Sequence, residues 1–375
     1  MGYTCFSKFY VSFRDNIGIT RLLVDLQHDG SRKTLSGNTG NGAGKLVTAP
    51  GIGMIEPLVS IVIPLYNKEK EVSRSLKSAL SQTIADVEVI VVDDGSTDRG
   101  PDIVKDWQDV RIRLVRQKNA GVSTARNRGI AEARTELIAF LDADDEWHPT
   151  FIETVLHLRE RFPECGVYAT SYVHHQPGEN DRTAIIRGLA DESGEVILRD
   201  YFRIAAQSDP PFCSSSVAVK KSAIVAIGGF PIGVTIGEDL LTWARLAVYY
   251  EIAYFRSPQA VIWSPLPSEY RQHRPLQSPD RVAIDLIKLL TEVRTEHTES
   301  LRQYISLWHR MRAVVYLQFN LTAESRRELA YSVEYAGFSL RLLILMLLSY
   351  FPGTLPARLQ YFMNTAFRKI RSFGE

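Results

Sequence analysis

Four apolar segments alternate with segments of helical pattern in the first part of the chain. The apolar segments are predicted strands: "LVSIVIPLYN" from residue 58, "VEVIVVDD" from 87, "RIRLVR" from 111 and "LIAFLD" from 137. Between them lie "EKEVSRSLKSALSQ", with apolar residues at helical spacing, a helix opening near "GSTDRGPDIVKDW", and "GVSTARNRGIAEAR", a predicted Ser/Thr-capped helix. Strands that are apolar on both faces and alternate with helices predict an α/β fold with an open, mostly parallel sheet.

The pattern changes on either side of this region. Residues 1–56 are rich in Gly, Ser and Thr without periodicity, which predicts a disordered or misassigned extension. After about residue 165, "CSSSVAVKKSAIVAIGGF" predicts a strand and a short helix, "GEDLLTWARLAVYY" a helix, and "EIAYFRSPQAVIWSP" two strands. From about 280 the chain is helical and rich in Arg. We therefore predict an α/β domain over residues 57–275 and a helical C-terminal region over 276–375.

Composition argues against several classes of function and site. The 375 residues are 45% hydrophobic and 23% charged with a net charge of +1, so no overall field favours nucleic acid. Three scattered cysteines favour a reducing, cytoplasmic compartment and no zinc site. The longest apolar stretch, "LLILMLLSYF", is too short to span a bilayer. With the arginines around it, it predicts either a packed helical cap or peripheral docking on an anionic membrane, at the inner face of the plasma membrane.

The segment "IAFLDADDEW" carries the most specific chemistry. An apolar strand leads directly into Asp142, Asp144 and Asp145, and like charges this close cost free energy without a cation among them. Residues i and i+2 at a strand end project to the same side, so Asp142 and Asp144 converge. Carboxylate oxygens suit Mg²⁺ or Mn²⁺ shared with substrate phosphates. The alternative is that an aspartate caps the following helix.

Further candidates follow other predicted elements. At one strand end, Asp93 and Asp94 could accept hydrogen bonds from a base or ribose, or they could simply form an acidic turn. At another, Tyr66, after Pro64, offers a ring on which a base could stack, or it could be a core aromatic. Near the start of a helix, Arg126 and Asn127 are candidates for binding an anion, whereas Arg128 fits a solvated face. Glu238 and Asp239 begin another helix. They fit either a favourable interaction with its dipole or a general base.

Taken together, six blocks resemble family-2 glycosyltransferases with the GT-A fold. In chain order they are "VSIVIPLYNKEKEVSRSLKSALSQT", "EVIVVDDGSTD", "NAGVSTARNRGI", "ELIAFLDADDEWHP", "AIGGFP" and "GEDLLTWARL". They extend over roughly residues 57–275. The resemblance implies a GT-A, Rossmann-like α/β domain with flanking helices. It also implies an inverting transfer from a UDP- or GDP-activated sugar to a hydroxyl of a glycan or lipid-linked acceptor, in cell-surface polysaccharide synthesis.

The resemblance also implies residue roles. Pro64, Tyr66 and Asp94 would contact the nucleoside beside Asp93. Asp144 would bind the divalent cation directly, with Asp142 nearer the ribose and diphosphate, and Arg126 would assist. Asp239 would be the catalytic base supported by Glu238, although which of the two acids acts is open by one position.

One departure from the family limits the expectation. "SEYRQHRP" contains Arg271 and His273 but lacks the Trp-containing block of processive members, which predicts transfer of a single sugar. The alternative functions are a sugar nucleotidyltransferase and a non-catalytic nucleotide-sugar-binding protein.

Overall fold

The structure is a computed structural model that describes residues 56–189, 194–264 and 276–350. The predicted extension before residue 56, Arg271 and His273 lie outside these ranges. The described strands are β1 Val59–Leu65, β2 Val87–Asp93, β3 Ile112–Arg116, β4 Leu137–Phe140, β5 Glu146–Trp147, β6 Val167–His175, β7 Arg182–Thr183, β8 Glu195–Ile197, β9 Val217–Lys220 and β10 Ile252–Trp263.

Helices separate most of these strands. They are α1 Val72–Leu80, α2 Gly100–Asp106, α3 Val122–Glu132, α4 Phe151–Arg161, α5 Tyr201–Gln207, α6 Lys221–Ala226, α7 Glu238–Tyr249, α8 Arg281–Lys288, α9 Thr298–Gln318, α10 Thr322–Ala336 and α11 Leu340–Leu348. The four strands and three helices predicted up to residue 142 are all present, with ends that differ from the predicted limits by a few residues.

The strands form one mixed sheet in the order β3-β2-β1-β4-β9-β6-β10-β5, with β7 beside β6 and β8 beside β10. The first four strands are parallel, as predicted. β9 runs antiparallel to both β4 and β6, whereas β6 and β10 are parallel. The carboxyl ends of β1, β2 and β4 therefore share one edge, where parallel α/β sheets bind ligands.

The prediction of two strands in "EIAYFRSPQAVIWSP" was wrong, because β10 is one strand of 12 residues. Its register against β6 shifts between Phe255 and Pro258 and again between Pro258 and Ala260. Proline lacks the N–H that a regular ladder needs, and a bulge accommodates that loss without ending the strand.

Both faces of the sheet are covered by helices, which explains why β1 and β2 are buried at every position. α1, α2 and α4 pack on one face. α3, α5 and α7 pack on the other, where α8 and α9 join the same core. α3 lies very close to β1, since a Cβ on Gly129 would fall 2.2 Å from the Val62 side chain. The two layers hold the strand ends rigidly.

The C-terminal helices have one packed face and one exposed apolar face. Leu342 and Leu345 of α11 pack against α9 and α10. Leu340, Leu343 and Leu347 of the same helix are 65%, 47% and 55% exposed. Among the described helices, none is both long enough and apolar enough to cross a lipid bilayer.

Candidate active site

The loop after β4 brings three carboxylates together. One carboxylate oxygen from each of Asp142, Asp144 and Asp145 lies within 4.8 Å of the others, and all three residues are buried. The Asp145 N–H donates to the Asp142 carbonyl at 3.0 Å and closes the turn. Asp142 and Asp144 thus converge as predicted. Asp145 joins them although the residue roles inferred from the sequence left it out.

Each carboxylate in this loop has a protein partner. Arg126 Nη2 donates to Asp142 Oδ1 at 2.8 Å. Lys68 Nζ lies 2.8 Å from Asp144 Oδ2. The Asp145 oxygens accept from Ser215 Oγ at 2.6 Å and from the Trp263 N–H at 3.0 Å. The repulsion expected among three aspartates is therefore offset by two side-chain cations and by neutral donors.

Three residues that support this loop were missed in the sequence analysis. Lys68 directly follows the "PLYN" segment, a position that could have drawn attention to it. Arg74 Nη2 donates to the Asp144 carbonyl at 2.6 Å, and its guanidinium stacks 3.8 Å from the Trp263 ring. Ser215 also accepts from the Asp142 N–H at 3.1 Å. Arg74 and Ser215 give no local signal of a role.

Arg126 connects the aspartate loop to the start of α7. Its side chain is 1% exposed, and its Nη1 lies 3.4 Å from Glu238 Oε1 while its Nη2 contacts Asp142. The residues predicted for the donor site and for the general base are therefore separated by a single guanidinium. Arg128, on the same helix, pairs with Glu132 at 2.7 Å on a half-exposed face, which agrees with its prediction as a solvated residue.

Glu238 and Asp239 occupy the first turn of α7 and are both buried. Asp239 Oδ1 accepts from the Leu240 N–H at 2.8 Å. Glu238 Oε2 is buried without a hydrogen-bond partner among the described residues. Burial and the adjacent Asp239 raise the pKa of Glu238 to about 8, although Arg126 lowers it. This shift favours the protonated form of Glu238, whereas a general base must accept a proton.

Asp93 and Asp94 are fully buried and are bonded to the protein. Asp93 accepts from the Ser96 N–H and from Arg116 Nε, at 2.9 and 2.8 Å. Asp94 accepts from Gln117 and from two backbone N–H groups before α3, those of residues 120 and 121. A nucleoside contact would have to share or exchange these bonds, so their nucleotide-binding role stays a prediction.

The same contacts correct the predicted Ser/Thr cap of α3. The helix begins after Gly121, without a side-chain cap of its own. The Asp94 carboxylate accepts from the Ala120 and Gly121 N–H groups at 2.9 Å each. Backbone donors at a helix start need an acceptor, and here an aspartate distant in sequence supplies it.

The Asn127 side chain is bonded to the backbone of the Gly-Gly-Phe turn. Its amide pairs with the Phe230 backbone in both directions, each hydrogen bond being 2.8 Å. A Cβ on Gly229 would fall 2.5 Å from Asn127 Oδ1, so the Gly-Gly-Phe turn needs glycine there. The nucleotide-sugar contact of Asn127 stays a prediction, and its amide would have to share or exchange these bonds to make it. The residue fixes the turn that precedes α7.

Pro64 and Tyr66 lie at the carboxyl end of β1, next to the loop after β2. Pro64 is the penultimate residue of the strand and pairs with Val92 of β2. The missing N–H of Pro64 faces the side on which β4 has already ended at Phe140, so no ladder bond is lost. Tyr66 is partly exposed at this edge. Their contact with a nucleoside stays a prediction.

The donor set fits a hard divalent cation. Asp142, Asp144 and Asp145 offer convergent carboxylate oxygens beside an edge where a phosphate-bearing ligand would bind. The two side-chain cations around them compensate charge that a metal ion would otherwise supply. The loop is therefore a candidate Mg²⁺ or Mn²⁺ site.

Comparison with known proteins supports a family assignment. The family model described as Glycosyl transferase family 2 matches residues 60–225, which include the aspartate loop and end before Glu238. An uncharacterized glycosyltransferase, EpsJ of Bacillus subtilis, is 47% identical over 121 residues. That alignment covers 31% of this chain and 35% of EpsJ, so this chain matches only about a third of that relative.

Solved structures resemble the fold over a longer stretch. S. aureus TarS aligns with a TM-score of 0.56 and 16% identity, covering 77% of this chain and 50% of TarS. The mannosyltransferase PcManGT from Pyrobaculum calidifontis, in complex with GDP-Man and Mn²⁺, aligns with a TM-score of 0.50 and 19% identity, covering 83% and 84%. At these identities the likeness establishes the fold alone. Residues 60–225 thus match glycosyl transferase family 2, and the chain has the GT-A fold and is homologous to bacterial glycosyltransferases.

Proposed function

We propose that this protein is an inverting glycosyltransferase. It would move one sugar from a UDP- or GDP-sugar to a hydroxyl of a glycan or lipid-linked acceptor, in cell-surface polysaccharide synthesis. The observation that carries the proposal is the contact of Arg126 with both Asp142 of the aspartate loop and Glu238, the residue before Asp239. The proposed cation ligands and the proposed base would then lie on either side of one buried side chain. The Mn²⁺ and GDP-Man complex of PcManGT, a protein of the same fold, supports a metal-dependent donor site.

Each part of the site has a task in this proposal. Asp144 and Asp142 would hold the divalent cation, and Asp145 could supply a third carboxylate ligand. When bound, the cation stabilises the negative charge that develops on the leaving diphosphate. Arg126 keeps Asp142 in place. Pro64, Tyr66, Asp93 and Asp94 would form the nucleoside side of the pocket at the ends of β1 and β2.

Asp239 is the better candidate for the base. Burial and the charge of Asp239 raise the pKa of Glu238 to about 8, which favours its protonated form. The Asp239 carboxylate would take the proton from the acceptor hydroxyl. Glu238 would then fix Arg126 and the first turn of α7.

The test is hydrolysis of a panel of nucleotide sugars in the presence of Mn²⁺, Mg²⁺ or a chelator. Release of one nucleoside diphosphate that needs metal and is lost in Asp144→Ala would support the proposal. The matched control is Asp102→Ala, which removes an exposed aspartate of α2. Pyrophosphate release from a nucleoside triphosphate and a sugar phosphate would indicate a nucleotidyltransferase instead. Tight nucleotide binding without turnover, even with candidate acceptors, would indicate a binding protein.

The proposal includes docking of the C-terminal helices on an anionic membrane. Leu340, Leu343 and Leu347 form one exposed face of α11, flanked by exposed Phe338 and Tyr350. From residue 337 to the end, the sequence has a single acid, Glu375, against five basic residues: Arg341, Arg358, Arg368, Lys369 and Arg371. An apolar face within a basic segment matches an anionic lipid surface.

Vesicle binding tests this part separately. The wild type should sediment with phosphatidylglycerol vesicles, and the Leu343→Glu/Leu347→Glu variant should not. Val225→Glu introduces an acid at an exposed apolar position of α6 and should bind like the wild type. Equal vesicle binding by the wild type and both variants, or no binding by the wild type, would remove the membrane from the proposal.

A further inference from the structure

Lys68 is held against Asp144 by the loops at the ends of β1 and β2. Its ammonium lies 2.8 Å from Asp144 Oδ2, with side chains 19% and 11% exposed. The preceding residue, Asn67, has a positive φ of 52°. Asn67 Oδ1 accepts the Thr97 N–H at 2.8 Å, and its own N–H donates to Ser96 Oγ at 3.1 Å. These bonds fix the backbone that presents Lys68 to the aspartate loop.

The cations around the loop differ in how easily they can leave. Arg126 is 1% exposed and contacts the buried Asp142 and Glu238, so its displacement would leave the Asp142 carboxylate without its cation. Arg74 donates to the Asp144 backbone carbonyl and can stay when the carboxylate changes partner. Lys68 contacts the Asp144 carboxylate itself, at the end of a flexible four-carbon stem, and its ammonium is readily hydrated. A cation that binds Asp144 therefore competes with Lys68 first.

We propose that Lys68 is a resident counter-ion of Asp144 that a divalent cation must displace, and that the released ammonium then binds the diphosphate of the donor. The second half rests on the proposed function, whereas the first half concerns the metal alone. Lys68 is a positioning residue in the first step and a ligand for the donor in the second.

The expected consequence is interdependent binding of metal and nucleotide. A tethered ammonium competes at an effective concentration in the millimolar range or above, so it weakens metal binding in the absence of nucleotide. A diphosphate offers Lys68 a new partner and offers the metal additional oxygen ligands. Each ligand therefore favours the other, and by linkage the coupling is equal in both directions.

The test measures Mn²⁺ affinity by electron paramagnetic resonance, without nucleotide and with saturating UDP or GDP. Lys68→Met keeps an unbranched side chain and removes the charge. Without nucleotide it should bind Mn²⁺ about tenfold more tightly than the wild type, within the usual range of coupling between sites. Nucleotide should tighten Mn²⁺ binding strongly in the wild type and much less in Lys68→Met.

Two control variants distinguish competition by Lys68 for Asp144 from the general effect of removing a positive charge near the aspartate loop. Lys70→Met removes an exposed charge two residues away and should match the wild type. Lys68→Arg keeps a cation and should retain most of the competition. Thermal unfolding confirms that each variant is folded before its affinity is compared.

The outcomes distinguish this inference from the proposed function. Unchanged or weaker Mn²⁺ binding by Lys68→Met would overturn it, as would the same gain in Lys70→Met. Absence of Mn²⁺ binding in every variant, with and without nucleotide, would overturn it because Asp144 would then not be a metal ligand. Tighter Mn²⁺ binding by Lys68→Met, in a protein that turns over no nucleotide sugar, would support the metal step while removing the proposed function.

Discussion

Two buried arginines in this protein each bridge two carboxylates, and they differ in what surrounds the bridge. Arg126 links Asp142 to Glu238 at 2.8 and 3.4 Å, at the carboxyl edge of the sheet. Arg312 links Asp280 to Glu328 at 2.9 and 3.0 Å, among the C-terminal helices. Both regions contain a group of residues with metal-ligand chemistry: the aspartate loop, and Asp280 with His309 and Glu328.

Both carboxylates of the helical bridge accept hydrogen bonds besides their contact with Arg312. Asp280 accepts the Ala283 N–H at the start of α8 and the Trp308 indole N–H, at 3.0 and 2.9 Å. The Glu328 oxygens contact Arg312 and His309, with the His309 ring nitrogen 2.6 Å away. Because the guanidinium occupies the centre of the group, a metal ion would meet a fixed positive charge. The chemistry of the side chains alone would have suggested a metal site, whereas their contacts indicate a structural connection.

The bridge at the sheet edge differs in its carboxyl oxygens, one of which has no hydrogen bond within the described residues. Glu238 Oε2 is buried without a partner among the described residues, and the pKa of Glu238 is raised to about 8. The pKa of Glu328, by contrast, is lowered. An unsatisfied buried acid costs free energy that a fold without further use for it would avoid. The difference is what we expect if the first bridge belongs to a working site and the second to the scaffold.

The largest expected effect comes from the two acids at the start of α7. Asp239→Asn should lower the rate of donor hydrolysis by about 10²- to 10⁴-fold, the usual contribution of a general base. Glu238→Gln should cost far less, on the order of tenfold, since a neutral amide resembles the protonated acid and loses roughly one hydrogen bond to Arg126. Both rates are measured at pH 7 with saturating Mn²⁺.

The assignment of Asp239 as the base would be contradicted if Glu238→Gln lost as much activity as Asp239→Asn, or more. In that case Glu238 would be ionised in the working enzyme and the two acids would act together or exchange roles. Unfolding measurements on both variants guard against a loss of structure, since both residues are buried.

The second effect is on stability and compares the two arginines directly. Arg312→Met should lower the free energy of unfolding by about 3–5 kcal/mol, because it leaves two buried carboxylates without their cation. Arg126→Met should cost less, roughly 1–3 kcal/mol, because the raised pKa of Glu238 favours its protonated form. Urea unfolding at pH 7 measures both, and Arg128→Met, on the exposed face of α3, should change it by about 0.5 kcal/mol or less.

The loss of activity should follow the opposite order, with Arg126→Met losing more activity than Arg312→Met. Arg126→Met should lose most of its donor hydrolysis, whereas Arg312→Met should keep it at temperatures where the variant is folded. Equal losses of stability together with unchanged activity in Arg126→Met would mean that both bridges serve the scaffold only.

The sheet and the aspartate loop could be predicted because their signals are local. β-branched runs mark β1 and β2, a short apolar run marks β4, and aspartates directly after that run mark the loop. The single strand β10 could not be predicted, because Pro258 ends a regular ladder and only the partner strand shows that a bulge continues it. Local patterns therefore determine the elements, and pairing determines where they end.

The sequence predicted which charged residues lie at the site, but only some of the contacts between them. Asn127 pairs with Phe230, 103 residues later, and Lys68 with Asp144, 76 residues later. Nothing in a one-dimensional pattern distinguishes an asparagine that binds a ligand from one that fixes a distant turn. The partners of Asp94 were hidden in the same way, since they follow the next strand of the sheet.

The smallest effect is the pH dependence of the helical bridge. Burial opposes ionisation of Glu328, but the hydrogen bond from His309 and the charge of Arg312 outweigh it and hold the pKa of Glu328 below its ordinary value of 4.5. A carboxyl whose pKa is lower in the folded state binds fewer protons there than in the unfolded chain. Its stabilisation is therefore fully present above about pH 4.5 and is lost as the pH falls through the folded pKa.

Unfolding of the wild type and of Glu328→Gln, measured from pH 7 to pH 3, tests this step. Glutamine does not titrate, so the wild type should be more stable at pH 7 and the difference should shrink below about pH 4.5. Glu334→Gln, which removes an exposed acid from the same helix, should give a curve parallel to the wild type. A difference for Glu328→Gln that stays constant with pH would mean that the ionisation of Glu328 contributes nothing and that packing alone holds the C-terminal helices. The contrast with the unsatisfied bridge at Glu238 would then rest on hydrogen bonds and not on charge.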